Sequence, residues 1–183
     1  RYEHGTSHCT RQDTLEANVL AAIQLQVEAA LDYDKLLDKL RGSEGEKNIR
    51  DQQNALITSL NLRLNGVSKK RTRLYEDYAE GLLDEEEYAF AKKSYDEQYA
   101  DLSRRLDEAV QRRSKFNEAM SVDNKWITLM KSVSTATQLT QDLVDESVEL
   151  VKVHEGGAVE LVMKYGDIYE LTIQSIKEVQ EAM

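Results

Sequence analysis

The sequence predicts a mainly α-helical protein: a long antiparallel helical hairpin, or coiled coil, on a small α+β base that ends in a β-hairpin. Three observations carry this. Proline is absent from all 183 residues, which suits long uninterrupted helices. Two stretches of about thirty residues repeat apolar side chains at heptad-like spacing. Between them, Gly81 and the run Asp84 to Tyr88 read as a helix stop followed at once by a helix start.

The first helix is predicted over about 11–41. Thr10 and Asp13 resemble a capping box, and Leu15, Val19, Ala22, Ile23, Val27, Ala30, Leu31, Leu36, Leu37 and Leu40 follow at helical spacing. Asp32-Tyr33-Asp34 is a place where it can break, and Gly42-Ser43-Glu44-Gly45 stops it.

The first arm follows over about 46–80, with a seam of Ile49, Gln53, Leu56, Leu60, Leu64, Val67, Arg71, Leu74 and Tyr78. The consecutive fours at Leu56, Leu60 and Leu64 read as a stutter, which locally unwinds a supercoil. Gly66 inside this arm costs about 1 kcal/mol against alanine and is a candidate bend. The returning arm, about 85–120, reads Tyr88, Ala91, Tyr95, Tyr99, Leu102, Leu106, Ala109, Arg113, Phe116 and Met120, with a similar slip at Tyr95–Tyr99. At 1.5 Å per residue the hairpin is about 45–50 Å long. At its tip, over 81–84, Gly81 suits the left-handed conformation that ends a helix. Asp84 with Glu87 forms a capping box, and Leu83 can staple to Tyr88.

Residues 1–45 and 121–183 make the base. A short helix over Asn124 to Met130 is capped by Asp123, and Thr140 caps another that carries Leu143, Val144 and Ser147. A strand over Glu149 to His154, the turn Glu155-Gly156-Gly157 and alternation at Val159, Leu161, Met163 and Tyr165 predict a β-hairpin. Gly166-Asp167 ends it. Ile168, Leu171, Ile176, Val179 and Met183 suit a final helix, although Ile173 fits a short third strand equally well. A lone hairpin is marginal in water, so this one needs the first or last helix to pack on.

Charge bounds the function. The net charge of −10 is divided as −4 over residues 1–46, 0 over 47–120 and −6 over 121–183. Phosphate neutralisation supplies most non-specific DNA affinity, so a free-standing nucleic-acid binder is disfavoured. The single cysteine, Cys9, excludes an intrachain disulfide and suggests a reducing compartment. No apolar run reaches the roughly 20 residues of a membrane helix, and no signal-peptide pattern is present. The chain opens at Arg1 without an initiator methionine, as a fragment of a longer protein would.

Thr6-Ser7-His8, Asp13-Thr14-Leu15-Glu16 and Val19-Leu20-Ala21-Ala22-Ile23 resemble the segment that leaves the zinc ribbon of large serine recombinases. Leu74 to Tyr88 resembles that family's phrase at the coiled-coil tip. Leu139 to Val144, with Val151 to Glu155, resembles the closing part of the same domain. The order and spacing of these segments span nearly the whole chain. The resemblance implies a C-terminal piece of a DNA integrase or transposon recombinase, cytoplasmic and bacterial or phage-encoded. The serine catalytic domain and a further DNA-binding domain would precede it. It also implies that the arm meets the arms of other copies, governing synapsis and the direction of integration or excision. The parent is expected to bind zinc, and DNA in its full-length form. In the family the last zinc-ligand cysteine stands ten residues before the leucine of Leu15-Glu16, where this chain has Gly5. Cys9 is four residues late; with His4 and His8 it is a weak metal candidate beside the plainer reading of a ribbon remnant.

Subunit contact at the tip is assigned to Tyr78, Leu82, Leu83 and Tyr88. Lys69, Lys70, Arg71 and Arg73 are candidates for DNA phosphates, or form a solvated face paired with acids of the other arm. Lys152, His154 and Lys164 are further backbone candidates on the hairpin. Tyr75, Tyr78, Tyr88, Tyr95 and Tyr99 suit packing within or between arms better than base stacking. The carboxylates Asp84 to Glu87 already have a reason to sit at a helix N-terminus. No serine–histidine–acid set or phosphate-cradling loop accompanies them, so the chain is read as non-catalytic and without its own cofactor. An unrelated cytosolic coiled-coil adaptor is the alternative reading.

Overall fold

The structure, a computed structural model, describes residues 12–154 and 158–183. His4, Gly5, His8, Cys9 and the turn Glu155-Gly156-Gly157 lie outside the described residues. The elements run α1 (Gln12–Leu40), α2 (Glu44–Ala79), α3 (Glu85–Ala119), α4 (Lys125–Ser132), α5 (Gln141–Ser147), β1 (Val148–Val153), β2 (Val159–Met163) and α6 (Gly166–Glu181). The protein is mainly helical, with three long helices and one small antiparallel sheet near its C-terminus. It divides into two compact units, Arg1–Ser43 with Glu118–Glu181, and Glu44–Asn117 with Ala182–Met183.

In the first unit α1 is continuous, and it does not break at Asp32-Tyr33-Asp34. These residues are used for packing. Asp34 accepts an ion pair from Lys131 on α4 at 2.6 Å, and the Tyr33 ring lies 6.1 Å from Trp126 and 6.3 Å from Tyr169. The stripe Val19, Ile23, Val27, Ala30, Leu37 and Leu40 is buried on α1. Trp126, Ile127 and Met130 of α4 and Ile168, Ile176 and Val179 of α6 complete a core that removes apolar surface from water.

The N-cap of α4 is Asn124, not Asp123, and its side chain accepts from the Ile127 N–H. Thr140 caps α5 as expected, accepting from the Leu143 N–H. The strands pair antiparallel with Val151 opposite Leu161 and Lys152 opposite Glu160, and a register shift falls between Val148 and Leu150. Strand β2 packs on α1, which supplies the support a two-stranded sheet needs. The strand alternation stops at Met163. Tyr165 takes φ +59°, and its carbonyl accepts the first helical bond of α6 from the Tyr169 N–H at 3.0 Å. Ile173 therefore lies inside α6 and no third strand forms from it.

The second unit is the arm. Its helices run antiparallel in one register: Arg113 donates to Asn54, Arg50 donates to Asn117, and Arg71 pairs with Asp96. Each pair of residue numbers adds to 167, so the strand reversal is centred at residues 83 and 84. Ile57, Leu60, Val67, Leu102 and Ala109 form the buried seam, with Leu64, Tyr95, Tyr99 and Leu106 packed against it. Leu56 is 48% exposed and Ile57 takes the seam position instead. With that correction Gln53, Ile57, Leu60, Leu64, Val67, Arg71, Leu74 and Tyr78 alternate steps of four and three, and the stutter in the first arm disappears. Helix α2 passes through Gly66 without interruption, and its 36 residues span about 54 Å, longer than expected.

Candidate functional site

The tip of the arm is built from local hydrogen bonds. Gly81, at φ +78°, donates to the Tyr78 carbonyl at 3.0 Å, and Leu82 donates to the Asp77 carbonyl at 2.9 Å. This pair of bonds is a Schellman motif, and it needs the positive φ that glycine adopts without strain. Three residues later the Asp84 N–H donates to Glu87 Oε2 at 3.1 Å, while the Glu87 N–H donates to Asp84 Oδ1 at 2.8 Å. The capping box is thus reciprocal, and Glu85, Glu86 and Glu87 fill the first turn of α3, where the helix dipole favours them. Across the two helices the rings of Tyr78 and Tyr88 stack, 4.3 Å between centroids and 17° from parallel.

Of the four residues assigned to subunit contact, Tyr78 and Tyr88 therefore clasp the arm to itself, and Leu83 is half-buried. Leu82 stands in the open at 68% exposure. Phe90 is more exposed still, at 80%, and sequence reasoning missed it. The signal was there: Phe90 lies two residues past Tyr88 and one before Ala91, off the α3 seam.

The basic cluster divides. Arg71 is part of the arm's own structure, 2.8 Å from Asp96 and over the Tyr99 ring at 4.9 Å. Lys92 bonds the same carboxylate at 2.8 Å. That bond, opposed by desolvation and aided by Arg71, holds the Asp96 carboxyl below its ordinary range. Arg73 reaches only to 4.0 Å from Asp77, and Lys69 and Lys70 have no ion-pair partner among the described residues.

The hairpin candidates are engaged internally. Lys152 and His154 both meet Glu160, at 2.7 and 3.0 Å, and they hold its carboxyl below the usual range, Lys152 first. Lys164 donates to the Asp145 carbonyl near the C-terminal end of α5, where a cation also suits the helix dipole. Cys9 lies outside the described residues, and among those described no three His, Cys, Asp or Glu side chains gather to hold a metal. No described helix is long and apolar enough to cross a membrane. Comparison with family models, curated proteins and solved structures found no match to this chain.

Proposed function

We propose that the chain is a non-catalytic C-terminal module of a large serine site-specific recombinase, and that its arm contacts other copies to control synapsis and direction. The resemblance at residues 6–8, 13–16, 19–23, 74–88, 139–144 and 151–155 supports the family. The observation that carries the role is the tip: its capping bonds all run between residues 76 and 88, yet Leu82 remains 68% exposed. A turn that needs no partner for its fold presents an apolar side chain for one. In this reading the cleavage chemistry and the zinc belong to the parent protein, DNA is met in the full-length context, and the compartment is the bacterial cytoplasm.

A small tip contact is weak unless DNA raises the effective concentration of the arms. The test is Leu82→Asp in the intact recombinase. Helical content should be unchanged and the stability should stay within about 0.5 kcal/mol of the parent's, as for other exposed positions. Synapsis should fall, or the balance between integration and excision should change. A variant that integrates and excises like its parent would reduce the tip to a simple turn.

A further inference from the structure

We infer that two copies of the arm lie side by side and antiparallel along the outward face of α2, each tip resting on the basic stretch of the other. The inference rests on the reading that arms contact one another, and it specifies which surfaces meet. Leu62, Gly66, Lys69, Arg73, Glu76 and Glu80 follow steps of four and three, so they share one helix face. That face is not the seam. Lys69, Arg73, Glu76 and Glu80 are all exposed, and Leu62 is 68% exposed.

The stripe changes sign along its length, from Lys69 and Arg73 to Glu76 and Glu80. A two-fold axis between residues 74 and 75 sets Arg73 against Glu76 of the second copy and Lys69 against its Glu80. The opposite pairs then repeat by symmetry, as an isologous interface requires. These charges are available: Lys69, Glu76 and Glu80 have no ion-pair partner among the described residues, and Arg73 has only the 4.0 Å approach to Asp77.

The same axis brings Gly66 level with the tip turn of the second copy, which carries the exposed Leu82. Gly66 has no internal reason to be glycine. Its φ is not positive, and a Cβ built there meets nothing within 4 Å. On the stripe it makes a notch where a neighbour's leucine can approach the backbone, and Leu62 one turn away extends the apolar floor.

An end-on meeting of tips is electrostatically worse. Residues 74–91 carry seven acids and no base, whereas residues 52–75 carry five bases and no acid. Tip against tip sets like against like; the antiparallel overlap sets each acidic tip on a basic stretch. Exposed pairs contribute modestly, so the interface is weak and salt-sensitive.

The test is a charge swap in the 183-residue chain, read by sedimentation equilibrium at low salt. One variant carries Lys69→Glu with Arg73→Glu, the other Glu76→Lys with Glu80→Lys. Each alone makes the stripe a single sign and should weaken self-association by about tenfold or more. An equimolar mixture pairs every reversed charge with its opposite and should restore it. Gly66→Phe should also abolish association without loss of helicity.

A mixture that associates no better than its components overturns the overlap, as does Glu76→Lys with Glu80→Lys associating more tightly than the parent, the end-on result. If Leu82→Asp weakens self-association while the swap has no effect, the side-by-side arrangement falls and the tip contact stands. A parent chain monomeric at about 1 mM overturns the stripe, leaving the tip to the recombination assay.

Discussion

The Asn124 amide is fully buried and uses both of its ends. Its Oδ1 accepts from the Ile127 N–H at 3.1 Å, capping α4, while Nδ2 donates to the Ala119 carbonyl at 2.9 Å and to Thr172 Oγ1 at 2.8 Å. The Thr172 hydroxyl in turn donates to the Ile168 carbonyl at 2.7 Å. One side chain thereby joins the end of α3, the start of α4 and the middle of α6. Asn124→Ala should cost about 2–4 kcal/mol in denaturant unfolding, the sum of a lost cap and buried groups left unpaired. Asn124→Asp should also destabilise, since a carboxylate cannot donate, whereas Asp123→Ala at the exposed neighbouring position should change little. An equal cost at both positions would make the cap interchangeable. Sequence reasoning chose Asp123 because N-cap preference is a local rule. The deciding partner, Thr172, is 48 residues away, beyond the reach of any local pattern.

At the scale of elements, what was legible is what is local. Gly81, Asp84 and Glu87 act within ten residues of one another, and their stop-and-start reading matches the structure bond for bond. The choice between Leu56 and Ile57 was not so decided, because both lie a permitted step before Leu60. The partner helix settles it by burying Ile57. The short tail elements were legible in kind but not at their joints: Tyr165 turns at positive φ without being glycine, and Ile173 is claimed by a helix that packs on α1 and α4. The arm also keeps one polar seam residue. Gln53 is 9% exposed, and neither its Nε2 nor its Oε1 has a hydrogen-bond partner among the described residues. Gln53→Leu should therefore stabilise the protein, by about 1–2 kcal/mol in chemical denaturation, because an unpaired buried amide is replaced by apolar packing. Destabilisation would mean that the amide is hydrated, or that it fixes the register as polar seam residues do in other coiled coils.

For the whole molecule, the balance of charge governs DNA. The net charge is −10, Arg71, Lys152, His154 and Lys164 are committed to partners within the chain, and Lys69 and Lys70 belong to a stretch of only five bases. The isolated chain should bind duplex DNA weakly and without sequence preference. A plot of log affinity against log salt should show a slope of only about one or two phosphates. Tight, site-specific binding by the chain alone would make Lys69 and Lys70 or the hairpin a reading surface after all. The proposed function rests on a resemblance, whereas the arm's exposed tip and its committed cations come from the structure.

The self-contained turn at Gly81 to Asp84 also makes the peptide bond between Leu82 and Leu83 dispensable for the fold. A chain opened there becomes two fragments, one carrying α1 and α2, the other α3 through α6, β1 and β2. The α2–α3 seam and the clamp of Arg41 on the Met120 and Ser121 carbonyls, at 3.0 and 2.7 Å, would hold the fragments together. Reassembly is then bimolecular, and its melting temperature climbs with fragment concentration. The protein can in this sense be assembled from two pieces, because each capping bond of the turn lies wholly within one fragment or the other.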